Sequence, residues 1–387
     1  MLQTWKLPAG ILVAALLLNA CTKKINVDPV DGKNASDAPY SFRQLKKFGD
    51  TIITIRTAAD QADLKALLDA RKMNTGQFLR DSIWPYNTGY SRFYEADEQV
   101  VVPNNETLIY PGSLIRGTSI NSDNFVPLPI RNYKRYPIKV YATFPSDLSV
   151  AVIDTPSLSR TRIFLRQALT SPGFSGGQLE SFLYETFKFS YYDEIKEAYG
   201  YNVNVKGLFY SSSSSFNFSA VRSEFPTAII AKFTMKNFSI VLDAPADGKL
   251  VDETNVDKSV LYGYSPVYVN TVTYGRMGIV VAESNFQSDE VKSAFEKTIK
   301  KLFGRTTESL TDYEKTLVNS ARINIYLIGG SGAPVTQAVN GYDQFVNYIF
   351  HSTTFSAADP GVPISFTMRY LSDNTPVKTV FRLDYPN

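Results

Sequence analysis

Hydrophobic and polar residues alternate along several stretches of this chain, and a period of two predicts strands. In 229–242 (IIAKFTMKNFSIVL), Ile230, Lys232, Thr234, Lys236 and Phe238 share one face, and Ala231, Phe233, Met235 and Asn237 the other. The run is longer than a typical strand of about 5–6 residues. Residues 267–282 (VYVNTVTYGRMGIVVA) predict a second long strand. It should bend or bulge at Gly275 or Gly278, since glycine inside a strand marks a bulge or a close backbone approach. A third strand, with Ile323, Ile325 and Leu327 alternating, stops at Gly329-Gly330, followed by Ser331 and Gly332. A glycine pair there can bend or take positive φ at little steric cost. It is equally the punctuation of an ordinary turn. Residues 364–370 read as another strand.

The remaining pattern is mixed. Leu64, Leu67, Leu68 and Met73 fall at helical spacing, with Asp60 and Asp63 early, Arg71 and Lys72 late and Gly76 as a stop. Residues 78–94 read as aromatic and irregular around Trp84-Pro85. Short strands are expected at 99–102 and 107–110, and short strands or helices at 138–144, 148–153 and 162–169, punctuated by prolines. Residues 179–199 are mostly helical in pattern.

Two segments carry a conflict between helix and strand. In 201–219, Tyr201, Val203 and Val205 alternate with Asn202, Asn204 and Lys206, and Phe216 and Phe218 follow the run Ser211 to Ser215. Two arms around a polar tip match the roughly 9–11 residues of a membrane-crossing β-strand. Two short strands joined by a serine-rich surface loop fit the same pattern. In 289–313, Val291, Phe295, Ile299, Leu302 and Phe303 form one helical face. As a strand the same stretch would put Lys297 and Lys301 beside Val291, Phe295 and Ile299. Its resting state is therefore expected to be helical. The chain reads as a bending sheet flanked by segments able to change conformation.

Composition narrows the functions. The 387 residues allow two or three domains. Charged residues are 20% and the net charge is +3, too small an excess for a nucleic-acid binder held by phosphate contacts. One His and one Cys leave almost no material for a transition-metal site or for nucleophilic catalysis, so no catalytic residue, metal or cofactor is expected. Gly329 to Gly332 match neither a dinucleotide fingerprint nor a phosphate loop.

The N-terminus reads as a targeting segment. Lys6 precedes the short apolar run 11–18 (ILVAALLL), which ends in Leu18-Asn19-Ala20-Cys21 and resembles a bacterial lipobox. This implies a signal peptide over 1–20 and lipidation of Cys21. Residues 22–38 are polar and read as a tether. No other run approaches about 18 consecutive apolar residues. With no second Cys, stability must come from packing rather than intrachain disulfides.

Six short motifs, in order, resemble the cholesterol-dependent (thiol-activated) cytolysins of the superfamily that includes the membrane-attack-complex and perforin proteins. Tyr110-Pro111-Gly112-Ser113-Leu114 is similar to that family's YPGAL turn, and Asn202-Val203-Asn204-Val205-Lys206 to its NVNAK. Tyr274-Gly275-Arg276 is similar to AYGR, and Glu290 to Phe295 with Ile299-Lys300 to DVQAAF…IK. Leu327-Ile328-Gly329-Gly330 is similar to the LGG hinge, and Pro363 to Thr367 to PISYT.

The resemblance implies an α+β fold with a central bent antiparallel sheet, helical clusters on its flanks and an elongated β segment at the C-terminus. It implies a scaffold over 106–175, 239–270 and 347–367, and a pore-forming part over 176–238 and 271–346. An N-terminal helical and aromatic region would span 41–105, and 368–387 would begin the elongated β part. Residues 202–230, including Phe209, Phe216 and Phe218, and residues 289–313, including Val291, Ala294, Phe295, Ile299 and Phe303, would insert into a membrane as hairpins. Gly329 and Gly330 would be the hinge. Insertion would be collective, because only a closed barrel satisfies strand hydrogen bonds in lipid.

The departures carry expectations too. The Trp residues are Trp5 and Trp84 and the Cys is Cys21, so the family's Trp-rich, Cys-containing undecapeptide has no counterpart here. The whole is similar to truncated, cytolysin-like bacterial lipoproteins. It is expected at the outer membrane or cell surface, or released, as a homo-oligomer acting on a target lipid membrane. A partner subunit would bring the membrane-binding domain. A non-lytic surface lipoprotein that keeps the scaffold is the alternative.

Overall fold

The computed structural model describes residues 45, 47, 52–56, 77–101, 105–120, 125–128, 133–178, 181–190, 223–244, 249–252, 261, 265–302, 306–328, 335–339, 342, 343, 346 and 354–386. Two strands dominate them. β10 (Thr227–Asp243) and β11 (Pro266–Ser284) pair antiparallel along nearly their whole length. Their side chains are buried on both faces, which explains why each runs so far with so few interruptions of apolar character.

The two strands change neighbours part-way along. The first part of β10 pairs with β9 (Ser181–Lys188) through Ile229 to Lys236. Its last residues, Ile240 to Asp243, pair instead with β6 (Ile138–Ala142), which pairs with the edge strand β7 (Val150–Ile153). β11 changes likewise. Its first part pairs with β15 (Val362–Tyr370) and β5 (Leu114–Arg116), and its second with β12 (Arg322–Ile328), which carries β13 (Val335–Val339). β4 (Glu98–Val100) pairs with β15.

The change falls at one place. Lys236 pairs with Gly275 and Phe238 with Tyr274, which leaves Asn237 as the extra residue of a β-bulge. A bulge bends its strand and sharpens its twist. Of the two glycines expected to bend β11, Gly275 therefore sits at the irregularity. A Cβ there would stand 1.9 Å from the Met235 carbonyl oxygen. Gly278 stays in register opposite Phe233, whose ring fills the space a side chain would need.

Two cores lie on either side of this bulge. One packs Phe238, Ile240, Val267, Tyr268 and Val272 with α1 (Leu158–Thr170), through Phe164, Leu165, Ala168 and Leu169. Phe238 stacks on Tyr274 with ring centroids 5.1 Å apart, and Phe144 meets Phe238 edge-on at 4.9 Å. The other packs Ile229, Ala231, Phe233 and Met235 of β10 with Val280 and Ala282 of β11 and with two helices, α2 (Ser288–Leu302) and α3 (Asp312–Ser320). A separate four-stranded sheet is formed by β1 (Ile52–Arg56), β16 (Thr379–Pro386), β3 (Gly89–Ala96) and β2 (Gln77–Ile83), in that order, and a two-stranded pair joins β8 (Gly177–Gln178) to β14 (Thr354–Phe355).

Three local expectations are corrected. Residues 78–94 are a β-hairpin rather than irregular chain, because β3 gains partners on both edges, β2 and β16. Within 179–199, residues 181–188 are strand rather than helix, paired along β10. Residues 106–108 form a 3-10 turn, Glu106–Leu108, rather than a strand. The helix expected around Leu64 to Met73 lies outside the described residues.

Candidate membrane-insertion region

α2 starts with Asp289 and Glu290 and ends with Lys300 and Lys301, charges that suit the helix dipole. Val291, Ala294, Phe295 and Ile299 recur at helical spacing and are fully buried against β10 and the neighbouring core. This is the helical state expected of 289–313 over 289–302, whereas 306–311 are irregular chain and a second helix starts at Asp312. Its opposite face is charged. The Lys297 ammonium lies 3.2 Å from both carboxylate oxygens of Glu314 on α3. Lys300 pairs with Glu296 one turn back, and Lys188 of β9 stands 3.2 Å from Asp289. α3 is fixed by a reciprocal capping box between Thr311 and Glu314. Thus α2 is docked by one apolar face and tethered by ion pairs around its rim, which are worth little individually. Phe295→Ala should therefore destabilise the fold by about 3–5 kcal/mol, the usual range for a fully buried phenylalanine. Urea denaturation of the purified protein checks this.

The polar face of β10 holds charges that local pattern did not explain. Lys236 reaches Glu98 of β4 at 3.0 Å, and the Ser365 hydroxyl of β15 donates to the same carboxylate. Burial raises the Glu98 pKa, but Lys236, the Ser365 hydrogen bond and Lys232 more than offset it, so the carboxyl is held below its ordinary value. A group with a depressed folded pKa stabilises above its unfolded pKa and loses that contribution as pH falls through the folded value. Thermal stability should accordingly drop as pH falls below the ordinary 4.5 of a glutamate. Glu98→Gln should flatten that part of a melting-temperature profile against pH. On β11, Arg276 is almost fully buried and pairs with Asp359, while towards the far end of the same strand Glu283, fully buried, accepts from Arg322 at 2.6 Å.

The turn at Tyr110, Pro111 and Gly112 is present. Ser113 N–H donates to the Tyr110 carbonyl at 2.9 Å, and Gly112 has φ +79°. Gly112 N–H donates to Val269 of β11, and Arg135 donates to the Gly112 carbonyl. The turn, flanked by Ile109 and Leu114, thus braces the core built around Phe238 and Val267, which is not the core that holds α2. Cys21, Asn202, Val203, Asn204, Val205, Lys206, Phe209, Phe216, Phe218, Phe303, Gly329 and Gly330 lie outside the described residues. Among the described residues no cluster of His, Cys, Asp or Glu could hold a metal, and no helix is long and apolar enough to cross a membrane.

The family model for thiol-activated cytolysins matches residues 92–385. The chain belongs to the thiol-activated cytolysin family. Pneumolysin of Streptococcus pneumoniae serotype 4 is 26% identical over 288 residues, 71% of this chain and 59% of pneumolysin. Tetanolysin of Clostridium tetani is 30% identical over 129 residues, covering 32% of this chain and 24% of tetanolysin. The chain thus spans under two thirds of the length of the curated cytolysins it matches. Wild-type pneumolysin superposes with a TM-score of 0.65 at 19% identity, over 89% of this chain and 72% of that one. The human-specific toxin intermedilysin superposes with 0.62 at 19% identity, over 90% and 73%. At such identity these likenesses establish the fold, α+β with a central antiparallel sheet. All six motifs lie inside the matched range, whereas β1 and β2 lie outside it.

Proposed function

We propose that this cytolysin-family chain is a pore-forming subunit that oligomerises on a target membrane and inserts β-hairpins drawn from 202–230 and 289–313. The observation that carries the reading is the docking of α2. Val291, Ala294, Phe295 and Ile299 hold it on the sheet through a single apolar face. The adjoining strands change partners one bulge away, at Asn237 and Gly275. A helix held this way can leave as a unit and re-form as strand, a transition between two discrete packings. Gly329 and Gly330 serve as the hinge in this reading. The scaffold, pore-forming and elongated β parts follow the boundaries expected from sequence. Cys21 is diacylated and tethers the protein to its own outer membrane or surface. A partner subunit supplies membrane recognition.

One observation favours the non-lytic alternative. In a strand, Lys297 and Lys301 join the apolar face of 291–299, and a lysine facing lipid at the bilayer midplane costs about 2–4 kcal/mol. Dye release from liposomes, with and without candidate partners, combined with negative-stain imaging, separates the two readings. Rings with leakage support the pore. Rings or bound protein without leakage under every partner condition support the alternative.

The anchor is tested separately. One acyl chain holds a protein only marginally, whereas two hold it stably. Cys21→Ser should shift the protein from the membrane fraction to the soluble fraction, and unchanged fractionation would remove the anchor from the account.

A further inference from the structure

The β2–β3 hairpin ends in an apolar tip that the pore-forming mechanism does not use. Tyr86 is 98% exposed and Ile83 75% exposed, with Phe78 and Leu79 also exposed along β2. The tip is preformed. Trp84 N–H donates to the Gly89 carbonyl at 2.9 Å, and the Trp84 indole donates to Ser91 at 2.7 Å. Tyr86 and Asn87 both adopt positive φ, 59° and 55°. Asparagine tolerates that region; a bulky tyrosine rarely occupies it. The fold therefore keeps an aromatic residue at the apex at a steric cost.

The charges around the tip are arranged to suit a lipid surface. Asp81 is paired with Arg92 at 2.7 Å and Asp384 with Arg382 at 2.7 Å. Arg80 lies over the Phe93 ring at 4.3 Å and makes no ion pair among the described residues. Neither carboxylate is left to repel phosphate, and one guanidinium remains to meet it. The tip spans only 83–88, whereas a stable protein interface draws on about 20–30 residues from each partner. A bilayer interface, in contrast, takes up single Trp and Tyr side chains with their aliphatic neighbours.

We propose that the 83–88 tip docks on the headgroup region of a phospholipid bilayer, independently of cholesterol. This goes beyond pore formation, since docking requires no change in α2. The test uses the mature chain from residue 21 carrying Cys21→Ser, which has neither the signal segment nor an acyl chain and keeps Trp84 as its sole tryptophan. Vesicles of phosphatidylcholine and phosphatidylglycerol without cholesterol, plain or with brominated acyl chains, are the probe. Trp84 emission should shift to the blue and be quenched by the brominated lipid. Ile83→Ser combined with Tyr86→Ser should lower vesicle binding at least about tenfold, the factor one buried aliphatic side chain commands. Circular dichroism checks that the double variant is folded, and Tyr86→Ser alone should give an intermediate loss. Absence of quenching, or equal binding by the double variant, overturns the proposal. So does self-association in sedimentation that the double variant abolishes, which would assign the tip to a second copy. Quenching with or without dye release supports the docking, and the pore stands or falls on the separate dye-release test with partners supplied.

Discussion

Gly275→Ala should destabilise the protein by about 3 kcal/mol or more, at or beyond the upper end of what overpacking usually costs. The reason is what the new methyl group would meet. Its carbon would fall 1.9 Å from the Met235 carbonyl oxygen and 3.0 Å from the carbonyl carbon. Both atoms are backbone of the paired strand, and Gly361 packs its own backbone against the Gly275 carbonyl. Relief requires β10 and β11 to separate at the bulge, where the two cores meet. Gly278→Ala makes the control. Its Cβ would clash with the tip of the Phe233 ring at 2.1 Å, and a side chain can give way where a backbone cannot. That variant should lose about 1–2 kcal/mol. Urea denaturation of both should rank them in this order. Equal losses, or a Gly275→Ala variant as stable as the parent, would mean that the bulge is not the close backbone approach described.

The parts of this fold that sequence disclosed are those set by local periodicity. Recurrence of Lys232, Thr234 and Lys236 at every second position marked β10, long runs of β-branched residues marked β11, and the spacing of Val291, Phe295 and Ile299 marked α2, because a helix buried on one face repeats its apolar residues at its own period. Gly275 was legible as one of two bending points, but choosing it over Gly278 required the register with Lys236 and Phe238. The sequence of β9 reads as helix because Glu185 and Lys188 sit among apolar residues at helical spacing, and pairing with β10 overrides that preference. The hairpin at 77–96 was hidden by Trp84-Pro85, whose loop closes through hydrogen bonds that pattern does not reveal. The Glu98 cluster could not be read at all. Its partners Lys236 and Ser365 are 138 and 267 residues away in sequence. The one local signal was a pair of lysines, Lys232 and Lys236, in the otherwise uncharged stretch 227–242, which a buried strand tolerates only when they are paired.

Tying α2 to the sheet should abolish pore formation without preventing assembly. The lock belongs on β10, since Ala294 of α2 and Ala231 of β10 are small, fully buried members of one core. A cysteine pair there, or at neighbouring positions of the same two elements, is suitable where the Cα atoms stand about 4.4–6.8 Å apart. Replacing Cys21 by serine removes the competing thiol. An oxidised lock leaves the docked helix as it is, so the monomer should fold and oligomerise normally. It forbids the helix from leaving, and an open strand set cannot persist in lipid because its edge groups would go unsatisfied. The decisive measurement is dye release from liposomes by this one protein, oxidised and then reduced, with a partner supplied where one is needed. The oxidised protein should give no release above protein-free liposomes while forming rings visible by negative stain, and reduction should restore release. Full release by the oxidised protein would contradict it, because α2 would then be no part of the inserting structure.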